Sequence, residues 1–192
     1  MADIPSHHLI YGMCTDFVSG QSIVDTDDER YRQKLARLLV EEKGYAKTDL
    51  EVRFKIETLF AKQFVVSTID FIVRLKGKRF MVIRYGPGSL VTRERAAIAA
   101  ARVLDPSYRI PLAVVTNGED AELLDTLTAK VLKQGLDAIP DKKEASRLFD
   151  NLEFAPFIEK DRRERELRVL NAYDVEVCCA GNPCVLPGAP EG

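Results

Sequence analysis

The chain has 192 residues, of which 46% are apolar and 30% are charged. This length suits one well-formed hydrophobic core and is short for two full domains, so we expect one domain with appendages. The formal net charge is -2, which excludes a global basic excess for binding nucleic acid or membranes. Any such surface must therefore be local.

No targeting segment is expected at the N-terminus. It lacks the basic and then apolar regions of a signal peptide, and no later apolar run reaches the roughly 18 residues of a membrane helix. We therefore expect a cytoplasmic protein without a membrane partner. In that compartment cysteines stay reduced, so the four cysteines are expected to be thiols or ligands and not disulfides.

A helix begins after Thr26, where Thr-Asp-Asp-Glu forms a capping box. The Thr26 hydroxyl can accept from the Glu29 amide while the Glu29 carboxylate reaches back to the Thr26 amide. Apolar residues recur at helical spacing at Tyr31, Leu35, Leu38 and Leu39. Gly44 can adopt the left-handed conformation that ends a helix. The pattern predicts one helix between Thr26 and Gly44.

Three strands follow the helix. Val52, Phe54 and Ile56 alternate with charged residues, which is the period-two pattern of a half-buried strand. Phe64 to Leu75 is rich in β-branched and aromatic residues, and Phe80 to Arg84 runs back after a Lys-Gly turn. These last two strands are predicted to form a hairpin.

A helix, a strand and another helix are predicted next. Thr92 is a plausible N-cap before the alanine-rich stretch Ala96 to Leu104, whose small side chains let a helix approach a sheet closely. Pro111 to Thr116 is a short apolar run typical of a strand buried on both faces. Leu123, Leu124, Leu127 and Val131 have amphipathic spacing, so Glu119 to Gln134 is predicted to be a helix that ends at Gly135.

The character of the sequence changes after residue 139. Asp141 to Leu152 and Phe157 to Tyr173 are predicted to be helices, and the irregular tail from Cys178 contains prolines, glycines and cysteines. We therefore predict an α/β fold divided into an N-terminal extension (1–24), a core domain (25–139) and a helical extension with the tail (140–192). The predicted core order is helix, three strands, helix, strand, helix.

Three segments in this order resemble a known family. They are Asp27 to Gln33, Ile69 to Val73 and Leu112 to Gly118, and together they are similar to the N-terminal domain of type I restriction enzyme R subunits. That domain belongs to the restriction-endonuclease-like, or PD-(D/E)xK, superfamily. The resemblance covers about Asp25 to Leu132 and implies a nuclease-type fold with an affinity for DNA.

The resemblance also implies a carboxylate site that this sequence keeps only in part. Relatives place an Asp on the second strand, E-x-K on the third and sometimes a Glu on the first helix, where they hold Mg²⁺ for phosphodiester hydrolysis. Asp70 matches the Asp and Glu29 matches the helix Glu. Ile83 and Tyr85 replace the Glu and Lys of E-x-K.

This replacement predicts that hydrolysis by the usual mechanism has been lost. Isoleucine cannot bind a metal, and a tyrosine hydroxyl is protonated at neutral pH. Because residues i and i+2 of a strand share a face, Ile83 and Tyr85 should point to the site and Arg84 away from it. Asp70 is then the one candidate metal ligand besides Glu29. The alternative structural roles are an arginine or amide partner for Asp70 and helix capping for Glu29.

Phosphate binding is a second expectation. The segment from Asp70 to Arg109 has nine basic and three acidic residues, a local excess that suits phosphate contact. Backbone amides of the loop, just before a predicted helix start, could also donate hydrogen bonds to a phosphate. The alternative for Gly86-Pro87-Gly88 is a simple turn between strand and helix. The candidate residues are Arg84, Tyr85, Gly86, Gly88, Ser89, Arg93 and Arg95.

Three functions therefore stay open. The first is a catalytically degenerate domain that still binds nucleic acid, with DNA favoured. The second is an active Mg²⁺-dependent nuclease whose site adds Glu57 or Glu94. The third is an interaction or homo-oligomerisation module that uses Leu167, Leu170 and Tyr173.

A zinc site in the tail is not expected. The spacing of Cys178, Cys179 and Cys184 matches neither paired C-x-x-C motifs nor a zinc ribbon, even with Cys14, His7 or His8 as further ligands.

Overall fold

A computed structural model describes residues 10–60, 63–157 and 159–178. The strands are β1 Ile10–Thr15, β2 Ser22–Thr26, β3 Leu50–Phe60, β4 Gln63–Leu75, β5 Lys78–Tyr85, β6 Leu112–Thr116, β7 Ala121–Asp125 and β8 Lys130–Gln134. The helices are α1 Asp27–Arg37, α2 Glu94–Leu104, α3 Lys142–Phe149 and α4 Lys160–Cys178. The predicted α/β class is confirmed.

One six-stranded sheet organises the fold, in the order β3-β4-β5-β6-β7-β8. All neighbouring strands are antiparallel except β5 and β6, which are parallel. The crossover between these two strands contains α2, as a parallel pair requires. A separate antiparallel hairpin, β1-β2, precedes α1.

The sheet has a buried core on each face. On one face, Ile72, Val82 and Val115 pack with α2 and with Leu170 of α4; we call this the α2 face. On the other, which we call the α1 face, Phe71, Ile83 and Val114 pack with α1 and α3. The alanines of α2 are at most 2% exposed, which confirms that small side chains let this helix approach the sheet.

The first helix and the central hairpin are as predicted. The Thr26 hydroxyl accepts from the Glu29 amide at 3.2 Å, and α1 continues through a π-helical turn, Leu38–Glu42, to Gly44 at φ 75°. The Lys76-Gly77 turn between β4 and β5 has positive φ at both residues, 48° and 79°, which is the geometry of a tight two-residue hairpin.

The prediction of a helix over Glu119 to Gln134 is wrong, because this segment forms the β7-β8 hairpin. The adjacent Leu123 and Leu124 pack on opposite faces of the sheet, as they do in a strand buried on both sides. The Asp125 carboxylate accepts from the Leu127 and Thr128 amides at 2.7 and 3.0 Å and closes the turn. This local hydrogen bonding favours a turn over a helix.

The predicted cap of α2 is also corrected. The N-cap position is Arg93, which makes no side-chain capping bond, and the Thr92 hydroxyl donates to the Ser89 carbonyl at 3.1 Å.

The predicted helices after residue 139 correspond to α3 and α4. Asp141 caps α3 by accepting from the Glu144 amide at 2.7 Å.

Candidate functional site

The resemblance places its site where β4 and β5 separate. Their ladder ends at the pair Phe71 and Ile83, while β5 continues beside β6 as far as Tyr85 and Thr116. Asp70 is the first residue of β4 beyond that ladder. A carboxylate at this point can reach the backbone amides that the missing strand pairs leave free.

Strict alternation along the strands is broken here. Val52 pairs with Phe71 and Phe54 with Ile69, which leaves Arg53 and Asp70 facing each other between these pairs. Arg53 has φ 52°, a conformation that non-glycine residues rarely adopt. Both side chains turn to the α1 face, where they meet residues of α1.

Asp70 is held by protein groups on both carboxylate oxygens. Oδ1 accepts from Nε of Arg32 at 2.5 Å, and Oδ2 accepts from the Tyr85 amide at 2.7 Å. The residue is 4% exposed. A buried carboxylate needs such partners, so the predicted alternative of an arginine or amide partner is present in the structure.

Glu29 belongs to the same buried network. Its Oε2 lies 3.6 Å from Nη1 of Arg32, and its Oε1 accepts from Arg53 and, at 2.8 Å, from Gln33. Its carboxylate thus turns into the protein and not back to the Thr26 amide, so the capping box is only half formed. The helix-capping role of Glu29 is carried by its amide alone.

Asp16, which precedes β2, completes the network. Its carboxylate accepts from Arg53 at 3.0 Å, from Gln33 at 2.8 Å and from the Ser19 amide at 2.7 Å. We call the six residues the ionic network: Asp16, Glu29, Arg32, Gln33, Arg53 and Asp70. It holds three carboxylates and two guanidinium groups.

The network shifts the pKa values of Asp16 and Arg32. Burial alone would raise the pKa of Asp16, but hydrogen bonds from Ser19, Gln33 and Arg53 together lower it well below its ordinary value. Burial alone would lower the pKa of Arg32, but the adjacent Asp70 carboxylate raises it. These groups are therefore charged at neutral pH, and each guanidinium lies between carboxylates.

The E-x-K positions follow the predicted alternation. Ile83 is fully buried in the core of the α1 face. The Tyr85 ring stacks on the Tyr31 ring of α1, with centroids 5.6 Å apart, and burial raises the pKa of Tyr85 to about 12. Arg84 points to the opposite face, where it pairs with Asp174 of α4 at 2.7 Å.

These residues do not fit a divalent cation. Both oxygens of Asp70 already accept hydrogen bonds. The positively charged guanidinium groups of Arg32 and Arg53 contact the same carboxylates that a metal cation would need as ligands. Neither proposed extra carboxylate joins the network: Glu57 pairs with Val66 farther along β3, and Glu94 faces Glu122 of β7. Within the described ranges, no group of three or more His, Cys, Asp or Glu side chains could hold a metal.

The glycine loop after β5 lies at the carboxyl ends of the parallel strands. The Gly86 amide donates to the Thr116 carbonyl at 3.0 Å, and the Asn117 amide group donates to the Gly88 carbonyl at 3.2 Å. Arg93 folds back over the loop, donates to the Pro87 carbonyl and fills the space beside the Gly86 Cα. Gly88 and Ser89 are exposed.

The basic segment is largely paired by residues from elsewhere in the chain. Arg79 pairs with Glu51, Lys76 with Asp150 and Arg102 with Glu166. The local positive charge predicted from the sequence is thereby reduced by the fold. Arg95, at the start of α2, is exposed.

The apolar residues of α4 that were predicted to dock a partner pack inside the chain. Leu170 is fully buried, and Leu167 and Tyr173 pack against the core of the α2 face. These residues therefore do not form the exposed docking surface on which the interaction or homo-oligomerisation alternative was based. The candidate zinc ligands His7, His8, Cys179 and Cys184, and the side chain of Cys178, lie outside the described residues.

Sequence reasoning missed Arg32, Arg53 and Asp16. Arg32 follows Glu29 by three residues on the same helix and so lies on the same face, which was a usable signal. The contacts of Arg53 and Asp16 join residues far apart in the chain, and no local pattern indicates them.

No helix in the described part of the chain is long and apolar enough to cross a membrane.

Comparison with known proteins identifies one family. A search of curated proteins and a search of solved structures found no match to this chain. The family model described as the type I restriction enzyme R protein N terminus matches residues 27–140. That range runs from the start of α1 to the residue before the α3 cap and includes Glu29, Asp70, Ile83 and Tyr85. The chain therefore belongs to the family of type I restriction enzyme R protein N-terminal domains.

Proposed function

We propose that this domain binds nucleic acid and does not hydrolyse it. The observation that carries the proposal is the double engagement of Asp70, by Arg32 and by the Tyr85 amide, at the position that the sequence resemblance assigns to a metal ligand. Membership in a family of restriction enzyme subunits supports DNA as the ligand.

The absence of hydrolysis follows from the chemistry of the residues. Phosphodiester cleavage of this type needs a hard cation held by carboxylate oxygens, which activates water and offsets charge on the phosphate. Ile83 offers no ligand, and the Tyr85 hydroxyl stays protonated because burial raises its pKa to about 12. Arg32 and Arg53 neutralise the carboxylates that such a cation would need.

Binding needs only a phosphate surface. The Gly88–Ser89 turn is exposed at the carboxyl ends of β5 and β6, which is where open α/β sheets bind their ligands. Arg93, the N-cap residue of α2, folds over this loop, and Arg95 is exposed in the first turn of α2. We exclude three of the predicted phosphate-binding residues, Arg84, Tyr85 and Gly86. Arg84 pairs with Asp174, Tyr85 is buried, and the Gly86 amide donates to a carbonyl of the neighbouring strand.

Fluorescence anisotropy tests the binding. Labelled DNA and RNA oligonucleotides are titrated with the protein at about 50 and 200 mM salt, and affinity should fall by about tenfold or more for two or three phosphate contacts. An affinity that does not change with salt, or no binding at either concentration, would overturn the proposal. Light scattering after size exclusion on the same sample reports whether the protein binds as a monomer or as an oligomer.

A further inference from the structure

A groove runs along the seam between α2 and α4. It consists of two adjoining cavities of about 320 and 270 Å³, which share Arg95 and Val169. The two helices lie antiparallel, because Arg102 near the end of α2 meets Glu166 early in α4, whereas Thr92 and Arg95 meet Ala172 and Tyr173 late in α4.

The walls of the groove are positive. Arg102 is fixed by Glu166 at 2.6 Å and by the Thr126 carbonyl at 2.7 Å. Arg95 and Arg165 are exposed, and within the described ranges neither has a carboxylate oxygen within 4.0 Å. With three arginines and one glutamate, the groove carries a net charge of +2.

The floor of the groove is apolar. Ile98 and Val169 line the larger cavity, and Val169, Ala172 and Tyr173 line the smaller one. Tyr173 packs partly against the core of the α2 face. A positive wall above an apolar and aromatic floor is the combination that binds the phosphates and the base faces of an unpaired strand.

We propose that this α2–α4 groove binds single-stranded nucleic acid. The inference rests on the proposed function and names its surface and its ligand class. In a duplex the base faces are stacked on one another and cannot reach an apolar floor, whereas an unpaired strand presents them. The phosphates lie against Arg95 and Arg165, and one base lies over Val169 and Tyr173.

The length of the groove sets the size of the ligand. Arg95 and Arg102 are seven residues apart on α2, or about 10 Å along the helix axis. At the roughly 3.4 Å per phosphate of one strand in a stacked duplex, this length holds at most about three nucleotides, and fewer when the strand is unstacked. The exposed Gly88–Ser89 turn ends three residues before Thr92, which lines the smaller cavity.

Anisotropy with a single-stranded oligonucleotide of about 12 nucleotides and with the matching duplex tests the inference. The expected results are tighter binding of the single strand, and a loss of about three- to tenfold for Arg95→Ala and for Arg165→Ala with a salt slope lower by about 0.7 each. Tyr173→Leu should lower single-strand affinity about fivefold or more and leave duplex affinity unchanged. Arg147→Ala, on an exposed arginine of α3 on the other face, is the matched control and should change affinity less than about twofold.

The outcomes separate the two proposals. If the protein binds nucleic acid but prefers the duplex, or if the groove variants match Arg147→Ala, the groove assignment is overturned and the proposed function stands. If no nucleic acid binds, the proposed function itself is overturned. Arg95 and Arg165 are exposed, so their variants should fold, and circular dichroism with thermal unfolding verifies this for Tyr173→Leu.

Discussion

Two pairs of arginines on opposite faces of the sheet have opposite environments. On the α1 face, Arg32 and Arg53 are drawn inward and bind the carboxylates Glu29 and Asp70. On the α2 face, Arg95 and Arg165 stay at the surface and line a groove. The same residue type therefore neutralises buried carboxylates on one face and lines an exposed groove on the other.

This difference has an energetic basis. A carboxylate buried without a metal must be neutralised or hydrogen-bonded, and removing one partner of a buried ion pair typically costs about 3–5 kcal/mol. An exposed arginine without a partner contributes close to nothing to folding. Substitutions on the α1 face should therefore change stability, and substitutions in the groove should change binding.

The largest effect is expected for Asp70→Ala. This variant leaves Arg32 without its main partner and the Tyr85 amide without an acceptor, so the free energy of unfolding should fall by about 3 kcal/mol. Urea unfolding measures the change. Asp150→Ala is the matched control, because Asp150 is paired with Lys76 on the surface, and it should cost less than about 1 kcal/mol. Equal costs at both positions would mean that the ionic network does not stabilise the fold.

A smaller effect on stability is expected in the groove. The double variant Arg95→Ala, Arg165→Ala should keep its free energy of unfolding within about 0.5 kcal/mol of the parent, because neither side chain is buried or paired in the described ranges. Urea unfolding under the same conditions is the measurement. A loss comparable to that of Asp70→Ala would show that the two faces are not divided between stability and binding.

The last effect concerns acid stability. Because the folded protein lowers the pKa of Asp16 below the unfolded value of about 3.9, the unfolded chain binds the proton more readily. The contribution of Asp16 to stability is then fully present above about pH 4 and is lost as the pH falls below it.

Asp16→Asn removes this titration. The variant should be less stable than the parent at pH 7 and should lose less stability between about pH 4 and pH 2. Unfolding curves at several pH values within this window give the slopes. Parallel slopes for the parent and the variant would contradict the assignment of a lowered pKa to Asp16.

The sequence predicted much of the fold where the signal is local. The Thr26 cap, the strands and the alanine helix depend on neighbouring residues, and they appear as expected. The predicted alternation of Val52 and Phe54 on one face fails, because β3 is irregular at Arg53 and these two residues pack on opposite faces. The β7-β8 hairpin was mistaken for a helix because its leucines have helical spacing, while its turn depends on the side chain of Asp125. A strand buried on both faces has no period-two pattern that distinguishes it from a helix.

The site was predictable only in part for the same reason. The resemblance located Asp70, Glu29 and the altered third strand, and strand alternation separated Arg84 from Ile83 and Tyr85. The cations that bind these carboxylates come from α1 and β3, and Asp16 precedes β2. Such pairings depend on the folded arrangement of distant segments, which one sequence does not display.

One cleavage assay tests the central claim most directly. A labelled oligonucleotide is incubated with the protein and Mg²⁺ or Mn²⁺, and the fraction bound and the fraction cut are measured on the same sample. We expect a strand that is bound and intact, both with the parent and with the conservative variant Asp70→Asn. Cleavage by the parent that Asp70→Asn abolishes would contradict it.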